Sequence, residues 1–499
     1  MEGIQRLRRV LTTVLLLGGA GWFLLAPAAI VLCVVEDPAL RGQGNLAWAY
    51  RWHRNLTPRF EAWARGRVAT RRATPSDPRD VSGSEWPMFG TVFYLLATES
   101  LQDGRDGAPA SPMSYAGGAV EAAASLLVDP ANAEWVRARW GDDYLHHENI
   151  FYRHLLIFGL VAYERLTGDL RHRALLEDQV ETLSAELAAA PHRLLDDYPG
   201  ECYPTDVVWA VAAIRRADAV LGTDHRALAN DLLGHLQGSL LDPLGLPPYL
   251  ADSRGGTAIG GSRGCSNSGL LIMLPELDAD LARRWFDLYE KHFWQRRGLF
   301  DGFREFPPGE VGRGDVDSGP VILGHGVAAC AFGAGAARAN GRWARHRTLS
   351  AESVLFAWPL PDGQLLVPRL LSNATEAPLL GESGVLFSLT RPGPRGAAEF
   401  PAEGLSPLFW ILWCSWVLLG LTVVWGEARR WRRWRKEGRA ASPGRARGAF
   451  FTWAVLLTAA SILAVLGLTP IGAIAALLAF VVPERLAGRS ATCPGTSTS

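Results

Sequence analysis

Three long uncharged runs constrain this chain more than any other feature. Residues 10–35 (VLTTVLLLGGAGWFLLAPAAIVLCVV) carry no charge over 26 positions, more than the roughly 20 residues a helix needs to cross a bilayer. Residues 405–425 form a second run of 21, closing on Trp425 where an interfacial aromatic belongs. A third runs from Ala449 to Val482 over 34 residues, interrupted by Pro470 and Gly472. It reads as a helix near 449–468 followed by a kink or a short hairpin partner. The rival reading of the first run is a cleaved signal peptide, with Arg6, Arg8 and Arg9 as its basic region and Ala26-Pro27-Ala28 as its cleavage site. The run continues seven residues past Ala28, which suits an anchor better.

Basic residues orient these spans. Arg6, Arg8 and Arg9 precede the first, and Glu36 and Asp37 follow it, so the N-terminus is expected in the cytoplasm. Between the second and third spans, nine basic residues from Arg429 to Arg447 face only Glu427 and Glu437, which marks a cytoplasmic loop. The expected organisation is a cytoplasmic N-terminus with a first transmembrane helix (1–36), a large extracytoplasmic domain (37–402), and a second transmembrane helix (403–426). A basic loop (427–448), a third helix or kinked hairpin (449–483) and a disordered tail (484–499) follow. This is a multi-pass cell-membrane protein whose first partner is the lipid bilayer. Trp431 and Trp434 among the arginines suit anionic headgroups, and 50 Lys and Arg against 50 Asp and Glu give no electrostatic case for nucleic acid.

The domain carries Cys202, Cys265 and Cys330 into an oxidising compartment. Either one pair bridges and one thiol stays free, or all three are small buried residues. Strand signals are few, and helix-length segments alternate in character. Residues 149–163, 206–214 and 318–338 are apolar almost all round, whereas 169–190, 224–240, 279–297 and 341–354 are amphipathic with one charged face. A helix apolar all round is buried, and one with a charged stripe lies at the surface. Comparable helix starts near His154, Cys202, Cys265 and Asp317 are spaced by 48, 63 and 52 residues. The pattern predicts an all-α fold, an α/α toroid of helical hairpins whose inner helices are ringed by outer ones, with a small β element near 355–390.

In such a ring the loops leading into the inner helices meet at one mouth. Four polar clusters fall there: residues 144–154 with Tyr152 and His154, residues 196–206, residues 260–268, and residues 301–305 with 314–325. Thr205, Asp206, Asp317 or Ser318 each also suits a helix cap, with Pro204 in a first turn. His154 and His325 each also suit a hydrogen-bonded core. Capping does not account for acids, Tyr, Cys and Gly recurring at successive helix starts, where glycine lets backbone approach a ligand and crowded acids shift one another's pKa values. The candidate catalytic residues are Glu201, Asp206, Asp315, Asp317, His154 and Cys202. The candidate substrate-binding residues are Tyr152, Tyr203, Arg263, Cys265 and Glu305. No metal or other cofactor is expected, since His146, His147 and Glu148 lack ligand spacing.

Alternation and polar mouth together resemble the six-hairpin α/α-toroid enzymes over about residues 85–400, most of which act on carbohydrates. Asn149-Ile150-Phe151-Tyr152 with His154, Tyr163-Glu164 and Thr167-Gly168-Asp169 look like the pocket helix of the linalool dehydratase/isomerase family, and Gly200-Glu201-Cys202 is similar to the start of its cysteine-bearing helix. That family has a second cysteine some turns along the helix, where this chain has Val211 and Ala212. The first resemblance implies a glycan substrate handled by paired carboxyl groups, drawn from Glu201, Asp206, Glu305, Asp315 and Asp317. The second implies a cofactor-independent hydro-lyase or isomerase in which Tyr or His protonates a leaving hydroxyl and Cys202 or an acid removes a proton, with Cys265 as partner. A membrane-tethered binding module needs the mouth without a paired acid and base.

Overall fold

The structure is a computed structural model and describes residues 2–70, 81–105, 110–296, 300–394 and 404–436. The expected third span and tail lie outside the described residues. The chain is mostly helical: α1 Glu2–Ala20, α2 Ala26–Val35, α3 Ala47–Thr70, α4 Glu85–Asp103, α5 Met113–Val128, α6 Glu134–Trp140, α7 Ile150–Thr167, α8 Arg173–Ala189, α9 Pro204–Leu221, α10 Arg226–Ser239, α11 Gly264–Met273, α12 Ala279–Phe293, α13 Val327–Ala339, α14 Trp343–Ala357, α15 Leu366–Ser372, α16 Leu380–Thr390 and α17 Pro407–Lys436. A π-helical turn, Gly21–Leu25, joins α1 to α2.

Two compact units result, one from residues before Pro27 with those after Trp413, the other from Pro27–Trp413. Within the first, Thr13 donates to Glu427 at 2.9 Å and accepts from the Trp431 indole at 2.8 Å, which ties α1 to α17. Two helices, Arg6–Val35 and Pro407–Arg435, are long and apolar enough to cross a membrane. The second runs ten residues past the expected boundary at 426, to Lys436. Arg and Lys are good helix formers, so a basic segment that looks like a loop continues the helix once its apolar part has nucleated it.

In the larger unit two classes of helix separate as their patterning dictates. Six nearly all-apolar helices each pack on two others of the set: α4 on α7 and α16, α7 on α9, α9 on α11, α11 on α13, and α13 on α16. Residues of α7 from Tyr152 to Tyr163 are buried without a break. The helices with a charged stripe pack outside them, α8 against α7 and α9, α12 against α11, and α14 against α13. In α12 the buried residues Leu281, Trp285, Tyr289 and Phe293 recur every four positions, the stripe of a one-sided helix. Local chemistry sets the limits of α9: Pro204 opens it, and Gly222 at φ +75° closes it with its N–H on the Asp218 carbonyl. The fully buried Arg153 of α7 fastens inner to outer helix by donating to Gln179 and Glu186 of α8 at 3.1 and 2.8 Å.

The structure corrects the expected β element near 355–390, since α14, α15 and α16 occupy that region with only a single bridge between Pro359 and Leu365. The residues VLFA read as strand by propensity, yet Ala351, Val354 and Leu355 are buried at helical spacing, and packing overrides a weak local preference. Among the described residues the strands form three short antiparallel hairpins: Leu250–Asp252 with Thr257–Ile259, Trp294–Arg296 with Asp301–Phe303, and Val321–Ile322 with His325–Gly326. They lie in the loops before α11 and α13.

Candidate active site

The side chains that gather carboxyl groups lie at the N-terminal starts of four inner helices. Glu85 stands in the first turn of α4, and Asp206 in the first turn of α9. Arg263 is the residue before α11. Asp315 and Asp317 precede α13, which begins at Val327 and not near Pro320 as its apolar pattern suggests. Gly319 at φ +61° and Gly324 at φ +88°, with Leu323 at φ +54°, bend residues 319–326 into a turn and hairpin. Asp317 is therefore no helix cap, and neither is Asp206, because Tyr203 holds the cap position of α9.

The floor of this group is buried. Asp197, 1% exposed, accepts the backbone N–H of Tyr203 at 2.9 Å on one oxygen, while its other oxygen has no hydrogen-bond partner. Burial, then the charge of Asp206, pushes the Asp197 carboxyl up. Glu305, fully buried, accepts from Arg263 Nε at 2.8 Å, from the Cys265 thiol at 3.0 Å and from the Cys265 N–H at 3.2 Å. Arg263 also clasps Asp315 at 2.6 and 3.1 Å and lies over the Tyr249 ring at 4.2 Å. All three guanidinium nitrogens of Arg263 thus donate to these two carboxylates. Burial raises Glu305, whereas for Asp315 the hydrogen bonds from Arg263 and Ser318 outweigh burial and hold the carboxyl below its usual range.

Above the floor, the acids face each other. The Tyr198 hydroxyl donates to Glu85, and the Tyr249 hydroxyl donates to Asp317. Tyr203 donates to Glu201 at 3.1 Å and sets its ring edge-on to Tyr249 at 5.2 Å. Asp206 has no side-chain hydrogen bond among the described residues. Burial, followed by the charges of Asp317 and Glu85, pushes its carboxyl up to about 8. Burial pushes Glu85 up to about 7 against the Tyr198 hydrogen bond. Asp317 is raised by burial and by Asp315. Of these three, Asp206 is the one pushed above neutral, so it holds its proton at pH 7 and can donate it, the property a general acid needs.

Glu201, Tyr203, Asp206, Arg263, Cys265, Glu305, Asp315 and Asp317 thus come together through hydrogen bonds or mutual charge. Cys202 lies behind them, fully buried, its carbonyl paired with the Ala251 N–H at 2.9 Å. Burial and the neighbouring Asp197 hold its thiol protonated. His154 and Tyr152 make no hydrogen bond to the group. The His154 ring sits among Phe151, Phe158 and Trp209, with Nδ1–H donating to the Ile150 carbonyl at 3.0 Å and Nε2 without a partner. Burial lowers it to about 3, so it is a neutral core imidazole. Tyr152 packs against Trp135 and Tyr144. The three domain cysteines are all free thiols.

Glu85 and Tyr249 escape a reading of the sequence. The signal for Glu85 was Ser84-Glu85-Trp86-Pro87 at the head of the apolar run of α4, the same polar start that marks α9 and α11. Tyr249 lies in a loop and has no such signal. Among the described residues no three His, Cys, Asp or Glu side chains are placed to hold a metal ion. No family model and no curated protein sequence matches the chain.

Proposed function

We propose that the chain is a membrane-anchored enzyme acting on a glycan by carboxylate acid/base chemistry, in an extracytoplasmic α/α toroid. The observation that carries this reading is the meeting of Glu85 and Asp206, from the first turns of α4 and α9, with Asp317, from the loop before α13, and Asp206 raised to about 8. Structural acids are paired with bases, and these three face one another and tyrosines. Asp206 is the general acid and gives its proton to the leaving glycosidic oxygen. Asp317, at the open rim, is the base that takes a proton from the attacking water. Tyr249 orients Asp317 through its hydroxyl, and burial, followed by the neighbouring charges of Asp317 and Glu85, keeps Asp206 protonated. The two-neighbour packing of α4, α7, α9, α11, α13 and α16 supports a closed inner ring. The hydro-lyase reading has less support, because the buried Cys202 thiol is held protonated and His154 is apart from the acids.

The full chain in detergent, incubated with a panel of oligosaccharides, should release new reducing ends. Asp206→Asn should lower turnover by about 10²–10⁴-fold, the usual worth of a positioned acid, with no loss of thermal stability. Equal turnover by wild type, Asp206→Asn and Asp317→Asn would remove the proposal. Orientation rests on the basic residues flanking α1 and α17. A periplasm-active reporter fused after about residue 200 should be active, and a reporter active only in the cytoplasm would overturn the extracytoplasmic placement.

A further inference from the structure

The mouth has a charge imbalance that hydrolysis of a neutral glycan does not explain. Glu85, Asp197, Glu201, Asp206, Glu305, Asp315 and Asp317 converge there, and Arg263 is already consumed by Glu305 and Asp315. The other guanidinium at this mouth, that of Arg139, lies 4.2 Å over the Tyr198 ring. Acids could crowd in this way by accident of packing if each were satisfied, but they are not. Among the described residues one oxygen of Asp197, 1% exposed, lacks a partner, and the charge that acts on it most is Asp206, which has no side-chain hydrogen bond among those residues either. Leaving a buried polar oxygen unpaired is costly. The Asp197 oxygen calls for a donor, and a ligand seated beside Asp206 supplies one.

We infer that the mouth binds a ligand carrying a protonated amine, seated between Asp206, Asp197 and Glu85, which on the glycan reading above is an amino-sugar unit with its nitrogen unacylated. An ammonium supplies three N–H donors and one positive charge, which are what the unpartnered oxygens lack. The absence of a metal-ligand grouping among the described residues favours a multi-donor organic cation over a bare metal ion. Tyrosine rings here already take guanidinium groups, at Tyr198 and Tyr249, so an aromatic face beside the ammonium is in keeping with the site.

Binding has a proton signature. Asp206 faces Asp197, Asp317 and Glu85, and Glu85 faces Tyr198, Asp317, Arg139 and Glu201. A cation placed among them favours their ionised forms and drives protons out. Calorimetry of the full chain in detergent at pH 7 can compare a glucosamine tetrasaccharide with its N-acetylated counterpart, a glucose tetrasaccharide and cadaverine. Repeating the titration in buffers of different ionisation enthalpy counts the protons. The free-amine sugar should bind at least tenfold more tightly than the two neutral ones, with net proton release, and Asp206→Asn should remove both the preference and the release. Equal affinity for the amine and the N-acetylated sugar overturns the inference and leaves the glycan reading standing. Cadaverine binding with Asp206-dependent proton release, and no saccharide binding, upholds the amine site and removes the glycan reading. Failure of both amines to bind removes the inference. Melting temperature of Asp206→Asn, matched to wild type, shows that its loss of binding is not loss of fold.

Discussion

The two ends of the inner helices bury charge in opposite ways. At their C-terminal ends every acid has bases: Glu99 of α4 takes Arg165 of α7 at 2.6 Å and Arg216 of α9 at 2.5 Å. Glu276, just after α11, takes Arg391 beside α16 and lies 3.8 Å from Arg216. Burial there would raise Glu276, but Arg216 and Arg391 outweigh it and hold the carboxyl below its usual range. At the N-terminal ends the acids outnumber the bases, and Glu85, Asp197, Asp206, Glu305 and Asp317 are raised while Asp315, clasped by Arg263, is lowered. Charges that serve the fold are paired so that desolvation is offset. A group of acids left facing one another destabilises the fold, and such a group is what the proposed function makes use of.

The contrast can be broken first by removing one acid from each end. Glu99→Ala leaves Arg216 with only the more distant Glu276 at 3.8 Å and Arg165, partly open to water, with Asp103 at 3.6 Å; the cost should be about 3 kcal/mol, the lower end for breaking a buried pair. Asp206→Asn should cost nothing and slightly stabilise the fold at pH 7, since it removes a repelled carboxyl. Chemical denaturation of both variants in detergent measures the difference. If Asp206→Asn proves as damaging as Glu99→Ala, the mouth is structural and the comparison fails.

The effect of pH separates the ends next. Asp206 and Glu85 titrate when folded at about 8 and 7, above their ordinary 3.8 and 4.5. The folded state therefore holds protons that the unfolded chain has released between about pH 4 and 8, and stability falls as pH rises through that window. Glu276 has the opposite sign: its contribution is present above its ordinary 4.5 and is lost as pH falls through its lowered folded value. A melting-temperature profile should decline by a few degrees from pH 5 to 8, and Asp206→Asn should flatten it while Glu276→Gln leaves that limb unchanged. A profile rising over the same range would contradict the assignment of raised carboxyls. The smallest effect belongs to the rim. Glu201 is exposed and receives only the Tyr203 hydroxyl, so Glu201→Gln should change stability by less than about 0.5 kcal/mol. A loss near that of Glu99→Ala would mean the rim is load-sharing in the fold.

Much of this architecture was legible because it follows from periodicity and from charge. All-apolar and striped helices announce which face is wet, and uncharged runs of 26 and 21 residues announce two helices able to cross a membrane. Asp206, Glu305, Asp315 and Asp317 could be singled out because polar residues at the heads of apolar helices stand apart from their neighbours. Local propensity misled where tertiary packing decided, as in the helices α14 to α16 and the late start of α13 at Val327. His154 looked catalytic in sequence because a histidine in an apolar helix is conspicuous. Its Nδ1–H is held by the Ile150 carbonyl and its ring is packed among three aromatic neighbours, away from the acids.

The sequence by itself determined the helical class, the two helices long and apolar enough to cross a membrane and which segments are buried, since these depend on residue types at short, regular spacing. Only the tertiary structure decided which acids share a space. Glu85 and Asp317 are separated by more than two hundred residues, and nothing in the local pattern of either refers to the other. Their mutual charge, the raised pKa of Asp206 between them, and the pairing of Arg263 with Glu305 and Asp315 exist because packing of α4, α9, α11 and α13 brings four helix starts together. Electrostatic energy falls off with distance, and distance across a fold is written in no single stretch of the chain.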